Sequence, residues 1–318
     1  MRAGILAAAA VCLMLRPGAA AGDEELHAKI ESGFVRITAG ERPVLLYRYE
    51  GAPKPYVKEL YTPKDVQVLL DSPPDHVHHR GLMFALAVNG VSFWEESEKA
   101  GKEVSRSINV GDRAQSTAFV EQIEWRSEQD KPLLRERRLI CVWGGKCIAE
   151  TGARLVGWQS MLDPAAGVDE ARLTGSHYFG LGMRFVRSMD KDGTFILPDK
   201  AEGEVVRGNE KLYPGRWCAY TASVDGKPVT VAMFSHPSNK PAVTWFTMKD
   251  PFAYLSATLK LHKEPITLGA GQQLLCLTYA IAVWDGKVEP ARIEEVYRLW
   301  LDLSGLSTTR ESQAPQHE

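Results

Sequence analysis

Turn signals set between short β-type runs constrain this chain more than any other feature. Asn89-Gly90 separates the runs 82–88 and 91–94, and Asp225-Gly226 separates 220–224 from 229–234. Both dipeptides tolerate positive φ, which a two-residue hairpin turn demands of its central positions. Ala39-Gly40 joins 34–38 to 44–49 in the same manner, and 274–284 is a further long run ending at Asp285-Gly286. Strands at this spacing over residues 30–285 predict a large all-β antiparallel β-sandwich of two curved sheets. One convincing helix follows. Pro290 opens it, and Ile293, Val296, Tyr297, Trp300 and Leu301 recur on one face. No strand–helix alternation with a glycine-rich phosphate loop is present, which disfavours a nucleotide-binding α/β fold.

The first residues read as an export signal rather than as fold. Met1-Arg2 leads into an apolar run reaching Leu15, then Arg16-Pro17 and the small residues 18–21. A basic start, a short apolar stretch and an Ala-x-Ala site are the parts of a secretory signal peptide cleaved near Ala21. The expected organisation is signal 1–21, one sandwich domain 22–303 and a polar tail 304–318, with a periplasmic or extracellular destination. Removing Arg2 and Arg16 takes the formal charge from −2 to −4. Neither value suits a nucleic-acid surface. An oxidising destination permits disulfides, and a three-residue turn at 143–145 would set Cys141 opposite Cys147.

Chemistry concentrates at residues 71–81, where three of the eight histidines fall within four positions. If this segment is extended, His76 and His78 share one face and His79 takes the other. With Asp75 beside them, the imidazoles can serve as acid and base, and His76 and His78 are the candidate ligands of a divalent metal. Arg80 can hold a carboxylate or a ring hydroxyl. His177, Tyr178, His236 and Asn239 lie in glycine- or proline-bounded segments. The aromatics Trp94, Trp217 and Trp245 lie close to such motifs in sequence. Aromatic planes for sugar C–H faces and polar groups for hydroxyls are what a carbohydrate cleft needs, so these residues are candidate substrate contacts. The carboxylates to consider are Asp75, Glu95, Glu96 and Asp250. No nucleophile elbow, zinc-protease helix motif or P-loop is present, and no cofactor is specified.

Along Pro74-Asp75-His76-Val77-His78-His79-Arg80-Gly81-Leu82 the chain resembles DUF6807, a family of bacterial proteins of unknown function often labelled "PmoA family" after a methane oxygenase subunit. Residues 175–185, 215–220, 224–227, 236–239, 251–253 and 282–286 are also similar to the family, so the resemblance spans about residues 30–290. Where many relatives read Pro-Trp-His-x-Arg, this chain has Thr244-Trp245-Phe246-Thr247-Met248. The resemblance implies a galactose-mutarotase-like β-sandwich in a setting of bacterial carbohydrate breakdown, with a sugar or glycoside as ligand. The oxygenase label conflicts with the sequence. An integral-membrane subunit needs apolar spans of about 20 residues, and none follows the signal. The expected activity is acid–base chemistry on a sugar, possibly an oxidised one. The alternatives are a non-catalytic sugar-binding protein and a structural envelope module; the sequence does not set the oligomeric state.

Overall fold

The computed structural model describes residues 25–198 and 202–305. The residues expected to form an export signal and nearly all of the expected polar tail lie outside the described residues. Every strand pairing among the described residues is antiparallel. A ten-stranded sheet runs from Leu26–Glu31 at one edge to Glu204–Arg207 at the other. An eight-stranded sheet runs from Thr194–Ile196 to Lys102–Arg113, and a small four-stranded sheet completes the fold. The large sheets share one core, as the turn spacing predicts.

The two strongest turn signals act as expected. Asn89 and Gly90 have φ of 50° and 85°, and Asp225 and Gly226 have 49° and 81°. The run before Asn89 is divided, however. Leu82–Ala85 belongs to the ten-stranded sheet, whereas Ala87–Val88 pairs within the small one. The break falls at Leu86, whose carbonyl accepts the Phe93 N–H and turns the chain from one sheet to the other.

The helix Pro290–Leu303 buries Ile293, Val296, Tyr297 and Trp300 against the outer face of the eight-stranded sheet. Period-two alternation makes both faces of that sheet apolar. Along Leu275–Asp285, Ala280, Ala282 and Trp284 face the helix while Tyr279, Ile281 and Val283 face the sandwich core. The small alanines leave room for a helix to lie close.

The Cys141–Cys147 bridge is not formed. Gly144-Gly145 is no hairpin turn, because the chain leaves strand Pro132–Trp143 for a short helix, Lys146–Ala149. Cys141 stands in the ladder opposite Ala118 and Gly157, buried, while Cys147 is exposed on the helix.

A buried polar cluster ties the two large sheets together. Arg138, fully enclosed, donates to both oxygens of Glu136 at 2.8 Å, to Glu103 at 3.2 Å, to the Tyr47 hydroxyl at 3.0 Å and to the Pro55 carbonyl at 2.9 Å. Tyr47, from the ten-stranded sheet, donates to Glu121 of the eight-stranded sheet. Burial raises the Glu121 carboxyl to about 7, against the lowering effect of Arg138, and raises Glu103 well above the usual range. Both carboxyls thus bind protons more tightly folded than unfolded. Their stabilising effect is complete below the unfolded carboxylate range and is lost, for Glu121, as pH rises toward and through about 7. Comparing the chain with Glu121→Gln by thermal melts should show wild type losing ground to the variant between pH 4.5 and 7.5. A constant difference across that range would refute buried protonation of Glu121.

Candidate functional site

The histidine segment is not extended. Residues 71–80 form a loop closed by an isolated bridge between Asp71 and Arg80, with two turns set by His76 N–H to Pro73 O and His79 N–H to His76 O. Strand alternation therefore does not apply, and all three imidazoles meet at one place. The His76 and His79 rings stack at 4.7 Å, and His78 sits edge-on to His79 at 4.6 Å. Gly81 makes the return feasible. It has a φ of +47°, and a Cβ there would lie 2.3 Å from the Val57 carbonyl oxygen. Gly81→Ala should therefore cost about 2 kcal/mol or more in urea unfolding, through strain at a special backbone position and a backbone clash. A loss within 0.5 kcal/mol, roughly that of an ordinary surface change, would contradict this account.

The three rings line a cavity of about 540 Å³ together with Trp94, Tyr178, Phe252 and Tyr254. Trp94 follows the small hairpin at Asn89-Gly90 and stacks on Phe179 at 4.8 Å, while Tyr178 stands edge-on to it. Across the sheet, Met248 is paired with Tyr254, and both line the cavity with Glu210 from the neighbouring strand Glu210–Pro214. Phe246 joins them two residues from Met248. Trp245, one residue out of phase, points the other way and is fully buried with its indole N–H on the Gly215 carbonyl. It does not reach the cavity. Of the three positions where this chain departs from Pro-Trp-His-x-Arg, the lost His and Arg, at Phe246 and Met248, thus both face the cavity.

Asp75 orients His76. Its Oδ2 lies 3.1 Å from His76 Nδ1, and its Oδ1 accepts from Arg187 at 2.7 Å. A carboxylate can only accept, so the Nδ1 proton is fixed and a neutral ring keeps Nε2 as its base. The bond to His76, with help from Arg187, lowers Asp75 to about 2. His79 is pushed down to about 2 by burial first, then by the neighbouring His78 and His76. His78 is lowered by burial and by Lys54 and His76. At neutral pH His79 is accordingly a neutral ring, and its Nδ1 is buried with no hydrogen-bond partner among the described residues.

Arg80 does not face the cavity. It forms a bidentate pair with Glu96 at 2.9 and 2.5 Å, lies 3.6 Å from Asp71, and has its pKa raised chiefly by the Glu96 bond. Buried Lys54 donates to the Trp94 carbonyl at 2.6 Å and lies 3.6 Å from Glu96. This network sits behind the loop and anchors it. Of the neighbouring carboxylates, Glu96 turns to Arg80 and Glu95 lines the cavity, as does Asp250.

The remaining candidates fall elsewhere. Trp217 is buried under the C-terminal helix, its indole N–H on Glu294 at 2.8 Å, because its place in the strand points it outward to that helix. His236 packs edge-on to Trp300 and pairs with Ser238 at 2.7 Å. Asn239 is a buried clamp, donating to Ser235 and the Thr278 carbonyl and accepting from the Thr278 N–H. None of these three lines the cavity. His177 stands behind its wall, with Nε2 2.9 Å from Glu210 Oε2, edge-on to Tyr178. The glycines near it serve packing: a Cβ at Gly175 would strike Phe179, and one at Gly182 would lie 2.0 Å from the Tyr254 hydroxyl oxygen. Among the described residues, no group of three His, Cys, Asp or Glu donors is placed to hold a metal ion, so His76 and His78 lack a completing ligand there.

Glu210, Met248 and Tyr254 are cavity residues that sequence patterning did not single out. Only the register of three adjacent strands sets Tyr254 beside Met248 and brings Glu210 to the same cavity. Arg207 and Asn209 arrive with Glu210 on its hairpin. Arg207 donates to Glu210 at 2.5 Å, and Asn209 fastens the tip to the 249–250 backbone.

Among solved structures, the chain is similar to a GH36 α-galactosidase from Geobacillus stearothermophilus, with a TM-score of 0.51 and 8% identity over 82% of this chain. It spans 41% of that enzyme's length, so the likeness is to part of it and shows the fold alone. An α-galactosidase from Lactobacillus brevis gives a TM-score of 0.47 at 5% identity, over 86% of this chain and 41% of that one. A protein assigned as an aldose 1-epimerase, from Klebsiella pneumoniae, gives 0.37 at 10%, over 91% and 85%. The architecture is an all-β antiparallel sandwich with one C-terminal helix. No curated protein matches the sequence. No described helix is long and apolar enough to cross a membrane. A family model matches residues 34–298, and the chain belongs to DUF6807, a family of unknown function.

Proposed function

We propose that this protein is an exported enzyme that carries out acid–base chemistry on a sugar or glycoside in the cavity beneath the histidine loop. The observation that carries the reading is His76. Asp75, itself held by Arg187, sets the ring's tautomer, and the ring lines a cavity that aromatic side chains also wall. About 540 Å³ is the size of a small-molecule site, and flat rings beside polar groups suit the two kinds of surface on a sugar. The likeness to part of an α-galactosidase supports a fold suited to carbohydrates.

Within this reading the residues divide their work. His76 moves the proton, because its orientation is imposed and its second nitrogen is left as the base. Glu95, Asp250 and Glu210 are the carboxylates that can act as its counterpart across a bound ring. Trp94, Tyr178 and Phe252 hold the sugar's C–H faces. His79 stays neutral and packs the loop.

The test is turnover and saturable binding measured with a panel of glycosides, free sugars and their keto forms. Conversion of at least one member is expected. Binding without conversion of any member would recast the protein as a sugar-binding module, and absence of both would reject a carbohydrate role.

A further inference from the structure

Among the described residues, four cations at or behind the cavity wall are each committed to a carboxylate. Lys54 lies 3.6 Å from Glu96, and Arg80 pairs with Glu96 and Asp71. Arg187 pairs with Asp75 at 2.7 Å, and Arg207 with Glu210 at 2.5 Å. The converse does not hold. Glu95 accepts the Ser92 hydroxyl, and neither Glu95 nor Asp250 forms an ion pair among the described residues. Both are exposed at the cavity, whose lining also holds aromatic rings, imidazoles, Met248, Asn209 and the Arg207–Glu210 pair.

From this imbalance we infer that the cavity selects sugars without an anionic group: its ligand is an uncharged sugar or an amino sugar, not a uronate or a sugar phosphate. The inference rests on the carbohydrate reading above and narrows its substrate class. Three effects act together. A carboxylate or phosphate on the ligand would meet two like charges, while Arg207, the guanidinium in the cavity lining, is already paired with Glu210, and partly enclosed sites screen such repulsion less than open water does. Aromatic faces carry negative electrostatic potential, which repels anions and attracts cations. Two of the three imidazoles do not redress the balance, since burial keeps His78 and His79 toward their neutral forms. An ammonium group, by contrast, can pair with Glu95 or Asp250 while resting on a ring face.

Calorimetric titration of the full chain at pH 7 and low salt tests this with three methyl glycosides of one ring stereochemistry: the neutral hexoside, its 2-amino form and its uronate. The set is repeated over several stereochemistries. The amino form should bind at least as tightly as the neutral one, and the uronate at least about ten-fold more weakly, as expected when like charges are juxtaposed. Glu95→Gln and Asp250→Asn, both at exposed positions where folding is insensitive, should each narrow the gap between uronate and neutral hexoside. Uronate binding as tight as neutral binding, or a gap unchanged in both variants, would overturn the inference and leave the carbohydrate reading intact. Failure of all three glycosides in every stereochemistry would overturn the carbohydrate reading and this inference with it.

Discussion

Replacing His76 with alanine is expected to lower turnover on any sugar the protein converts by roughly 10²–10⁴-fold, the usual contribution of a positioned acid–base group. Thermal stability should change little, because His76 is partly exposed and its neighbours keep their own partners. The Asp75–Arg187 pair remains at 2.7 Å without the ring, and His79 still packs on Phe252 and Tyr254. The magnitude follows from the imposed tautomer, since Asp75 leaves Nε2 as the ring's base. Asp75→Asn should give a smaller loss in the same direction, because an amide no longer dictates which nitrogen bears the proton. The pH profile adds a constraint. Asp75 is held down to about 2 by its bond to His76, so it titrates below its unfolded range; whatever support it lends is present above that range and lost as pH falls through about 2. No acid limb near pH 4 should therefore arise from it. Initial rates with the converted sugar, paired with melting curves, decide the matter. If His76→Ala keeps more than half of wild-type turnover, His76 is not the proton carrier.

The second large effect concerns stability. Arg138→Met should destabilise the fold by about 3–5 kcal/mol, the cost of stranding a buried charge whose partner has been removed. Arg138 is fully enclosed and lies over the Trp158 ring at 4.6 Å, with Glu136 held bidentately by its Nε and Nη2. Glu136 also accepts from Trp125 at 3.0 Å and Ser160 at 2.6 Å. Glu103 and Glu121, in contrast, are raised by burial and hold protons more readily. One arginine thus answers mainly to one carboxylate, while the other two carboxyls contribute hydrogen-bonding oxygens. Arg138→Met combined with Glu136→Gln should recover part of the loss, because the second change removes the stranded charge. Urea unfolding monitored by tryptophan fluorescence measures both. A loss under about 1 kcal/mol for Arg138→Met would place this cluster among near-neutral polar networks rather than at the centre of the fold.

Much of the architecture is legible in the chain itself, for identifiable reasons. Asn89-Gly90 and Asp225-Gly226 enforce hairpins through local backbone preference, and the apolar stripe after Pro290 makes a helix that must find an apolar face. The histidine cluster marks the cavity because its members are adjacent in sequence, whatever the loop's shape. The fate of the other candidates depended on which way a residue faces and on which strands become neighbours. Trp245 and Phe246 are adjacent and chemically alike, yet alternation sends one into the core and the other into the cavity. Trp217 looks like a sugar platform until a helix beginning 73 residues later covers it. Glu210 and Tyr254 lie 44 positions apart, and only long-range strand pairing brings them to one cavity. Local turn chemistry and periodicity are written residue by residue, so the sequence alone determined an all-β chain with a single long helix at its end. Register, sheet order and the coverage of each face arise from contacts between distant segments, so only the tertiary structure decided which aromatics, carboxylates and imidazoles share the site.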